Sequence, residues 1–115
     1  MGSNFRKLGA YQLARALARD TYAAVATWPR FDRSTIGIQL VRSADSVGAN
    51  IAEASGRWHE KDKKRFFINA RGSLHETEHW ILCAEERGLL AEGTVKRIQG
   101  VARPLNGLIK AQLKT

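Results

Sequence analysis

Apolar residues recur at intervals of three and four along most of this 115-residue chain, and this spacing constrains its fold most strongly. One series contains Leu40, Ala44, Val47, Ile51 and Ser55, which are separated by four, three, four and four positions. Such a series lies on one face of an α-helix, whereas a half-buried strand alternates every second residue. Because the chain has only two prolines and no β-branched runs, we predict an all-α protein.

Four stretches with this pattern predict helices over residues 5–26, 34–58, 60–87 and 92–113. Trp28 and Pro29 interrupt the pattern after the first stretch, and we expect a structured loop there because proline disfavours helix at the preceding residue. The other connections are short, which favours an antiparallel up-down-up-down arrangement. The sequence therefore predicts a single four-helix bundle domain over residues 1–115.

Two residues interrupt the predicted helices from within. Gly48 lies in the second stretch, where glycine costs about 1 kcal/mol relative to alanine, and close helix packing would explain its presence. Pro104 lies in the fourth stretch, and we expect it to kink that helix or to remove one backbone hydrogen bond.

The composition argues against several classes of function. Cys83 is the only cysteine, which excludes an internal disulfide and a zinc site built from several cysteines. No apolar run approaches the roughly 18 residues of a membrane span, and we expect a cytoplasmic protein that does not interact with membranes. We find no glycine-rich phosphate loop, dinucleotide-binding motif or pair of catalytic carboxylates, and therefore predict no cofactor.

A polar stripe follows the predicted second helix, about 100° around the helix from the apolar stripe. It comprises Gln39, Arg42, Ser46, Asn50, Glu53 and Arg57, and the third helix has Asn69, Ser73 and Glu76 in similar positions. One interpretation is a solvated face, although such faces usually contain glutamate and lysine rather than small and amide residues. The other is a partly buried network that fixes helix register, with Arg42 or Asn50 bonded to Glu76.

Two blocks of the sequence resemble a known family. The first runs from Gln39 to Arg57 and contains Ser46-Val47-x-x-Asn50-Ile51-Ala52-Glu53, and the second is Phe66-Phe67-x-x-Ala70-Arg71-Gly72-Ser73-Leu74-x-Glu76. Together they are similar to the signature of small bacterial four-helix-bundle proteins encoded in 23S ribosomal RNA intervening sequences. Ala54 departs from that signature, because the family usually has glycine at this position.

The resemblance implies a four-helix protomer that assembles into a cyclic oligomer, a homopentameric barrel, with no catalytic residue. It also implies association with nucleic acid, because the accessory variability protein of diversity-generating retroelements resembles the same family and works with a reverse transcriptase and its RNA. The expected partners are further copies of the chain, RNA or another polyanionic nucleic acid, and a reverse transcriptase or ribosomal component.

The chain has 19 basic and 11 acidic residues, a net charge of +8, and the predicted topology concentrates this charge at one end. Nine basic residues less two acidic ones give +7 at the end that contains the second connection, and we predict that they bind nucleic acid through phosphates. These residues are Arg6, Lys7, Arg57, Lys61, Lys63, Lys64, Arg65, Lys110 and Lys114. Beside them, Trp58 either caps the core or stacks on unpaired bases together with His59.

Apolar residues fall on more than one face of the predicted first helix, which favours self-association independently of the resemblance. Here Tyr11, Ala14, Ala18 and Val25 accompany Leu13, Leu17, Thr21 and Ala24. A single bundle core requires only one such stripe, so we expect the remaining residues to form an interface between protomers.

The segment from His75 to His79 matches the zinc-protease motif His-Glu-x-x-His, in which Glu76 would be the general base. The extended form of the motif requires glycine at 82 and histidine at 85, where this chain has Leu82 and Glu85. We therefore predict a non-enzymatic protein without a metal site, and rank a zinc hydrolase a distant third. Nucleic-acid binding ranks first, and the second-ranked function is a structural adaptor whose basic end docks on a larger nucleic-acid enzyme.

Overall fold

The computed structural model describes residues 5–114, apart from the side chain of Arg6. A 3-10 turn at Phe5–Lys7 precedes helix α1 at Gly9–Val25. Helix α2 spans residues 30–55, helix α3 is Glu60–Glu86 and helix α4 is Glu92–Ala111. No strand occurs within these residues, which confirms the all-α prediction.

Each helix packs against the next one along the chain, and α4 returns to pack against α1. The connections 26–29, 56–59 and 87–91 reverse the direction of the chain, so neighbouring helices are antiparallel. The result is an up-down-up-down bundle measuring 45 by 23 by 20 Å. We name its two ends after the connections that they contain, the 56–59 end and the 26–29 end.

One apolar stripe from each helix forms a common core. The fully buried apolar side chains of greatest volume are Leu17, Leu40, Val47, Ile51, Leu74, Ile98, Leu105 and Ile109. Their spacing within each helix is the spacing that the sequence displays, because a helix packed on two neighbours in a bundle buries only one face. No helix in the described part of the chain is sufficiently long and apolar to cross a membrane.

The residues of α1 that are buried in the core differ from the set that the sequence suggests. Ala14 and Val25, which were expected on the surplus face, are buried in the core of the protomer. The buried series continues through Leu17 and Thr21 at helical spacing. Tyr22 is exposed and Ala18 is only partly buried, so they remain on the outer face of this helix.

Helix α2 begins four residues earlier than predicted, and the expected loop is shorter. Pro29 has an extended backbone with φ −56° and ψ 152°, and the helix starts at Arg30. Proline restricts the residue before it, not the residues after it, and its fixed φ suits a helix start. The helix contains a π-helical segment at Arg33–Gly37 and continues as Ile38–Ser55, so it ends three residues before the predicted 58.

Helix α4 continues through Pro104. Because proline lacks an amide hydrogen, the carbonyl of Gly100 receives no hydrogen bond from the residue four positions later. Gly100 and Pro104 are both exposed, and water therefore has access to this carbonyl. Hydration of the Gly100 carbonyl replaces the lost backbone hydrogen bond, which explains why the helix tolerates proline at this position.

Two buried glycines in α2 should respond oppositely to alanine. A Cβ at Gly37 would lie 2.8 Å from Val25 Cγ1 and 3.1 Å from the Asp32 carbonyl, so Gly37→Ala is expected to lower the free energy of unfolding by about 1–3 kcal/mol. At Gly48 the nearest atom, Ala14 Cβ, would be 3.6 Å away, an ordinary contact. Close packing therefore does not require glycine there, and Gly48→Ala should raise stability by up to about 1 kcal/mol. Denaturant unfolding measures the stability of both variants, and equal changes in their free energies of unfolding would contradict this packing.

Candidate nucleic-acid interface

Antiparallel packing collects the predicted basic residues at the 56–59 end. Lys7 ends the 3-10 turn before α1, Arg57 lies in the α2–α3 connection, and residues 61–65 occupy the first turns of α3. Lys110 and Lys114 lie at and just beyond the end of α4, and both are exposed, as are Lys7 and Lys61. Arg6 was also predicted here, and its side chain lies outside the described residues. We call the described members the basic cluster: Lys7, Arg57, Lys61, Lys63, Lys64, Arg65, Lys110 and Lys114.

Arg57 is the most firmly held member of the basic cluster. Its guanidinium lies over the ring of Phe66 at 4.5 Å, and its Nη2 is 2.8 Å from Glu53 Oε2. The guanidinium of Arg65 lies 5.1 Å from the centroid of the same ring. A planar guanidinium stacks on an aromatic face while its hydrogen-bond donors remain at its edge. Phe66 thus positions two arginines of the basic cluster.

Lys63 and Arg65 form ion pairs within the first turns of α3. Lys63 Nζ is 3.6 Å from Glu60 Oε1, and Arg65 Nη2 is 3.9 Å from Asp62 Oδ1. The pairs are partly exposed, and such pairs contribute little to stability. Glu60 and Asp62 also stabilise the N-terminus of α3, because their negative charges interact favourably with the positive end of the helix macrodipole. These acids reduce the local charge without burying the cations.

Trp58 is 87% exposed and does not cap the core, so that alternative is wrong. Helix α2 ends at Ser55, which places Trp58 in the connection and beyond the packed helix faces. Leu8, Phe66 and Leu113 pack against the core instead. His59 beside Trp58 is exposed as well, and its side chain makes no capping hydrogen bond to α3.

Part of the predicted polar stripe forms a network between α2 and α3. Ser46 Oγ lies 2.9 Å from Ser73 Oγ across the interface. Asn50 Nδ2 donates to the Ser46 carbonyl at 2.9 Å and to Ser46 Oγ at 3.0 Å. Gln39 and Arg42, at the other end of the stripe, are exposed. The network is therefore smaller than the stripe.

The expected hydrogen bond from Arg42 or Asn50 to Glu76 is not observed. Glu76 Oε2 instead accepts a hydrogen bond from Trp80 Nε1 on its own helix at 3.1 Å. In the register that places Ser46 opposite Ser73, Arg42 is about level with Glu76, but both side chains are exposed. Asn50 cannot reach Glu76, because its antiparallel partner must then lie near residue 69. At a rise of about 1.5 Å per residue, Glu76 is about two helical turns further along α3.

The same interface contains a buried polar pair that was not predicted from the sequence. Thr77 is 0% exposed and Ser43 4%, and their hydroxyl oxygens are 3.0 Å apart. Thr77 Oγ1 is also 2.8 Å from the Ser73 carbonyl, and Ser43 Oγ is 3.1 Å from the Leu40 carbonyl. The sequence feature that could have indicated this pair is Ser43, which lies one helical turn before Ser46. A buried pair with satisfied hydroxyls suits a role in helix register.

The His-Glu-x-x-His segment lies on a helix with its two histidines exposed. His75 Nδ1 is 2.9 Å from the Arg71 carbonyl, and His79 Nε2 is 3.6 Å from Cys83 Sγ. Thr77, in the middle of the motif, belongs to the buried pair. Within residues 5–114, no three or more His, Cys, Asp and Glu side chains are arranged to hold a metal ion.

A solved structure has the same fold as this chain. It is a protein of unknown function from the S23 ribosomal protein family of Bacteroides thetaiotaomicron VPI-5482, with 21% sequence identity and a TM-score of 0.82. The alignment covers 92% of this chain and 99% of that one. A comparison with curated proteins found no match.

The sequence profile of the 23S rRNA-intervening sequence proteins matches residues 6–111. This range includes all four helices, the polar network and most of the basic cluster. The chain therefore belongs to the 23S rRNA-intervening sequence protein family.

Proposed function

We propose that this protein is a non-enzymatic RNA-binding protein whose 56–59 end contacts the phosphate backbone. The observation that carries the proposal is the uneven distribution of charge along the bundle. Of the basic cluster, Lys7, Lys61, Lys110 and Lys114 are exposed, and Phe66 orients Arg57 and Arg65. Cations concentrated on one surface bind polyanions by releasing counterions, with little dependence on base sequence.

The 26–29 end has a nearly balanced charge of +1, with five basic residues and four acidic ones. The basic residues are Arg30, Arg33, Arg87, Lys96 and Arg97, and the acidic ones are Asp32, Glu85, Glu86 and Glu92. Lys96 also pairs with Glu92 at 3.4 Å, and Arg97 pairs with Asp20 at 3.8 Å. A polyanion would therefore favour the 56–59 end.

The position of residues 61–65 also supports binding over a purely structural role. The four cations of this segment lie in the first turns of α3, where the macrodipole disfavours positive charge. Lys61, Lys63 and Lys64 do not belong to the buried core. A requirement of the fold therefore does not explain four basic residues at this site, whereas a phosphate ligand does.

The proposal includes assembly into a ring of parallel protomers, a pentamer by resemblance to the family. Support comes from four large apolar side chains that a lone protomer leaves exposed, one on each helix: Tyr22, Ile38, Ile68 and Leu108. A groove of about 310 Å³ between α1 and α2 is lined by small residues such as Ala18, Gly48 and Ala49. In such a ring, the basic ends of all protomers would face one side and act on one nucleic-acid strand.

Light scattering coupled to gel filtration measures the assembly. We expect a mass of five times the 12.8-kDa protomer, because the exposed apolar side chains are removed from water on association. A particle of 12.8 kDa at micromolar concentration would contradict the ring.

The experiment that tests RNA binding is a salt titration with RNA, single-stranded DNA and duplex DNA. If at least four phosphates are contacted, the logarithm of the RNA association constant should fall with the logarithm of salt concentration with a slope of about −3 or steeper. Absence of binding to all three at low salt would reject the proposal. That result would favour the second candidate, an adaptor whose basic end docks on an acidic surface of a nucleic-acid enzyme such as a reverse transcriptase.

A further inference from the structure

We infer that the 56–59 end selects unpaired nucleotides and that Trp58 is the surface on which a base stacks. The inference rests on the proposed RNA binding and adds a preference for single strands. Its starting point is that the Trp58 indole is 87% exposed, more than any other large apolar side chain in residues 5–114. Aromatic side chains of this size are usually buried because they carry a large apolar area. An indole held in solvent indicates a partner.

Cations of the basic cluster flank Trp58 on both sides. Arg57 precedes it, Lys61 follows three residues later, and residues 63–65 continue along α3. An apolar protein surface that covered the indole would have to desolvate these charges, which is unfavourable without compensating anions. A nucleic-acid strand supplies a flat aromatic base for the indole and phosphates for the cations. Charge complementarity therefore favours nucleic acid as the occupant.

The neighbouring guanidiniums are held in place before any ligand binds. Phe66 lies beneath Arg57 and Arg65, and Glu53 pairs with Arg57 at 2.8 Å. The Nε of Arg57 is buried and has no protein acceptor. The Arg57 side chain as a whole remains partly exposed. Phosphate contacts beside Trp58 therefore require little ordering of Arg57, which favours affinity.

The position of Trp58 explains why single strands should be preferred. In a duplex both faces of each base are covered by neighbouring base pairs, and only the phosphates are accessible to a side chain at the end of a bundle. In a single strand the bases are unstacked at low cost, and each presents a face to an aromatic residue. Trp58 thus adds a stacking contribution that duplex nucleic acid does not receive.

The test measures fluorescence anisotropy with a labelled 12-nucleotide single-stranded RNA and with an RNA duplex of the same length. Wild-type protein should bind the single strand more tightly. Trp58→Ala should weaken single-strand binding by about fivefold or more and change duplex binding by less than about twofold. Trp58→Phe should retain most of the affinity because phenylalanine still provides an aromatic face. Circular dichroism verifies that each variant is folded.

Phe31→Ala is the matched control. Phe31 is 75% exposed, but it lies at the start of α2, at the 26–29 end. Its removal should leave both affinities unchanged. An equal loss from Phe31→Ala and Trp58→Ala would overturn the inference, because the effect would then reflect nonspecific hydrophobic contact.

The outcomes separate this inference from the proposed function. If wild-type protein binds neither RNA at low salt, RNA binding itself fails. If it binds both RNAs equally and Trp58→Ala has no effect, the inference fails while the proposed function stands. An oligomer composed of abasic sites provides a second measurement, because it retains the phosphates without the bases. Trp58→Ala should leave binding to this oligomer unchanged, and an equal loss would overturn stacking.

Discussion

Replacement of Lys61, Lys63, Lys64 and Arg65 together with glutamate is expected to weaken RNA binding about 100-fold or more at moderate salt. The variant removes four cations from the basic cluster and adds four anions, which brings the chain from +8 to zero. Each lost phosphate contact should also reduce the salt slope by about 0.7, so the slope should become shallower by about 3.

The fold should survive this substitution. The changed residues lie in the first turns of α3, where negative charge is favourable to the helix macrodipole. The ion pairs that disappear, Lys63 with Glu60 and Arg65 with Asp62, are partly exposed and contribute little. The thermal midpoint should therefore shift by only a few degrees. Loss of RNA binding through unfolding would be visible directly in this measurement.

The matched control reverses four exposed cations at the opposite end, namely Arg30, Arg33, Arg87 and Lys96. It changes the net charge by the same amount but leaves the basic cluster intact. Its RNA affinity should decrease much less than that of the first variant. Equal losses in the two variants would mean that overall charge, rather than a located surface, determines binding.

Leu74→Ala is expected to lower the free energy of unfolding by about 2–5 kcal/mol. Leu74 is 0% exposed and lies on the core face of α3 between the buried Ala70 and Thr77. The substitution removes buried apolar atoms and leaves a cavity, because neighbouring helices relax only partly. Domains of this kind have about 5–15 kcal/mol of stability in total, so the loss should be a large fraction of it.

Leu82→Ala provides the comparison on the same helix. Leu82 is 51% exposed, so the same chemical change removes little buried area. Its effect should remain within about 0.5 kcal/mol in denaturant unfolding of the protomer. Similar losses of stability in Leu74→Ala and Leu82→Ala would contradict a core that buries Leu74 and leaves Leu82 outside.

The helical faces that bury the core follow directly from the sequence, because the spacing of Leu40, Val47 and Ile51 admits one orientation. The start of α2 could not be located in the same way. Pro29 is compatible both with a loop and with a helix that begins immediately after it, and packing of Ile36 into the core selects the helix. In α1 the sequence did not reveal which of two apolar faces would meet the other helices.

The candidate site was predictable in its location and not in its details. Topology alone brought the basic cluster to one end, since antiparallel helices bring their connected termini together. The exposure of Trp58 depends on the end of α2 at Ser55, which the apolar pattern extended to residue 58. The pairing of Ser43 with Thr77 depends on the register between α2 and α3, and a single-helix pattern contains no information about register.

Ultraviolet crosslinking of a bound single-stranded RNA, followed by mass spectrometry of the crosslinked peptides, locates the RNA-binding surface most directly. We expect crosslinks within residues 57–66 and 107–114, which contain Trp58 and seven of the eight members of the basic cluster. Crosslinks confined to residues 26–34 and 86–97, at the 26–29 end, would contradict an RNA-binding surface at the 56–59 end.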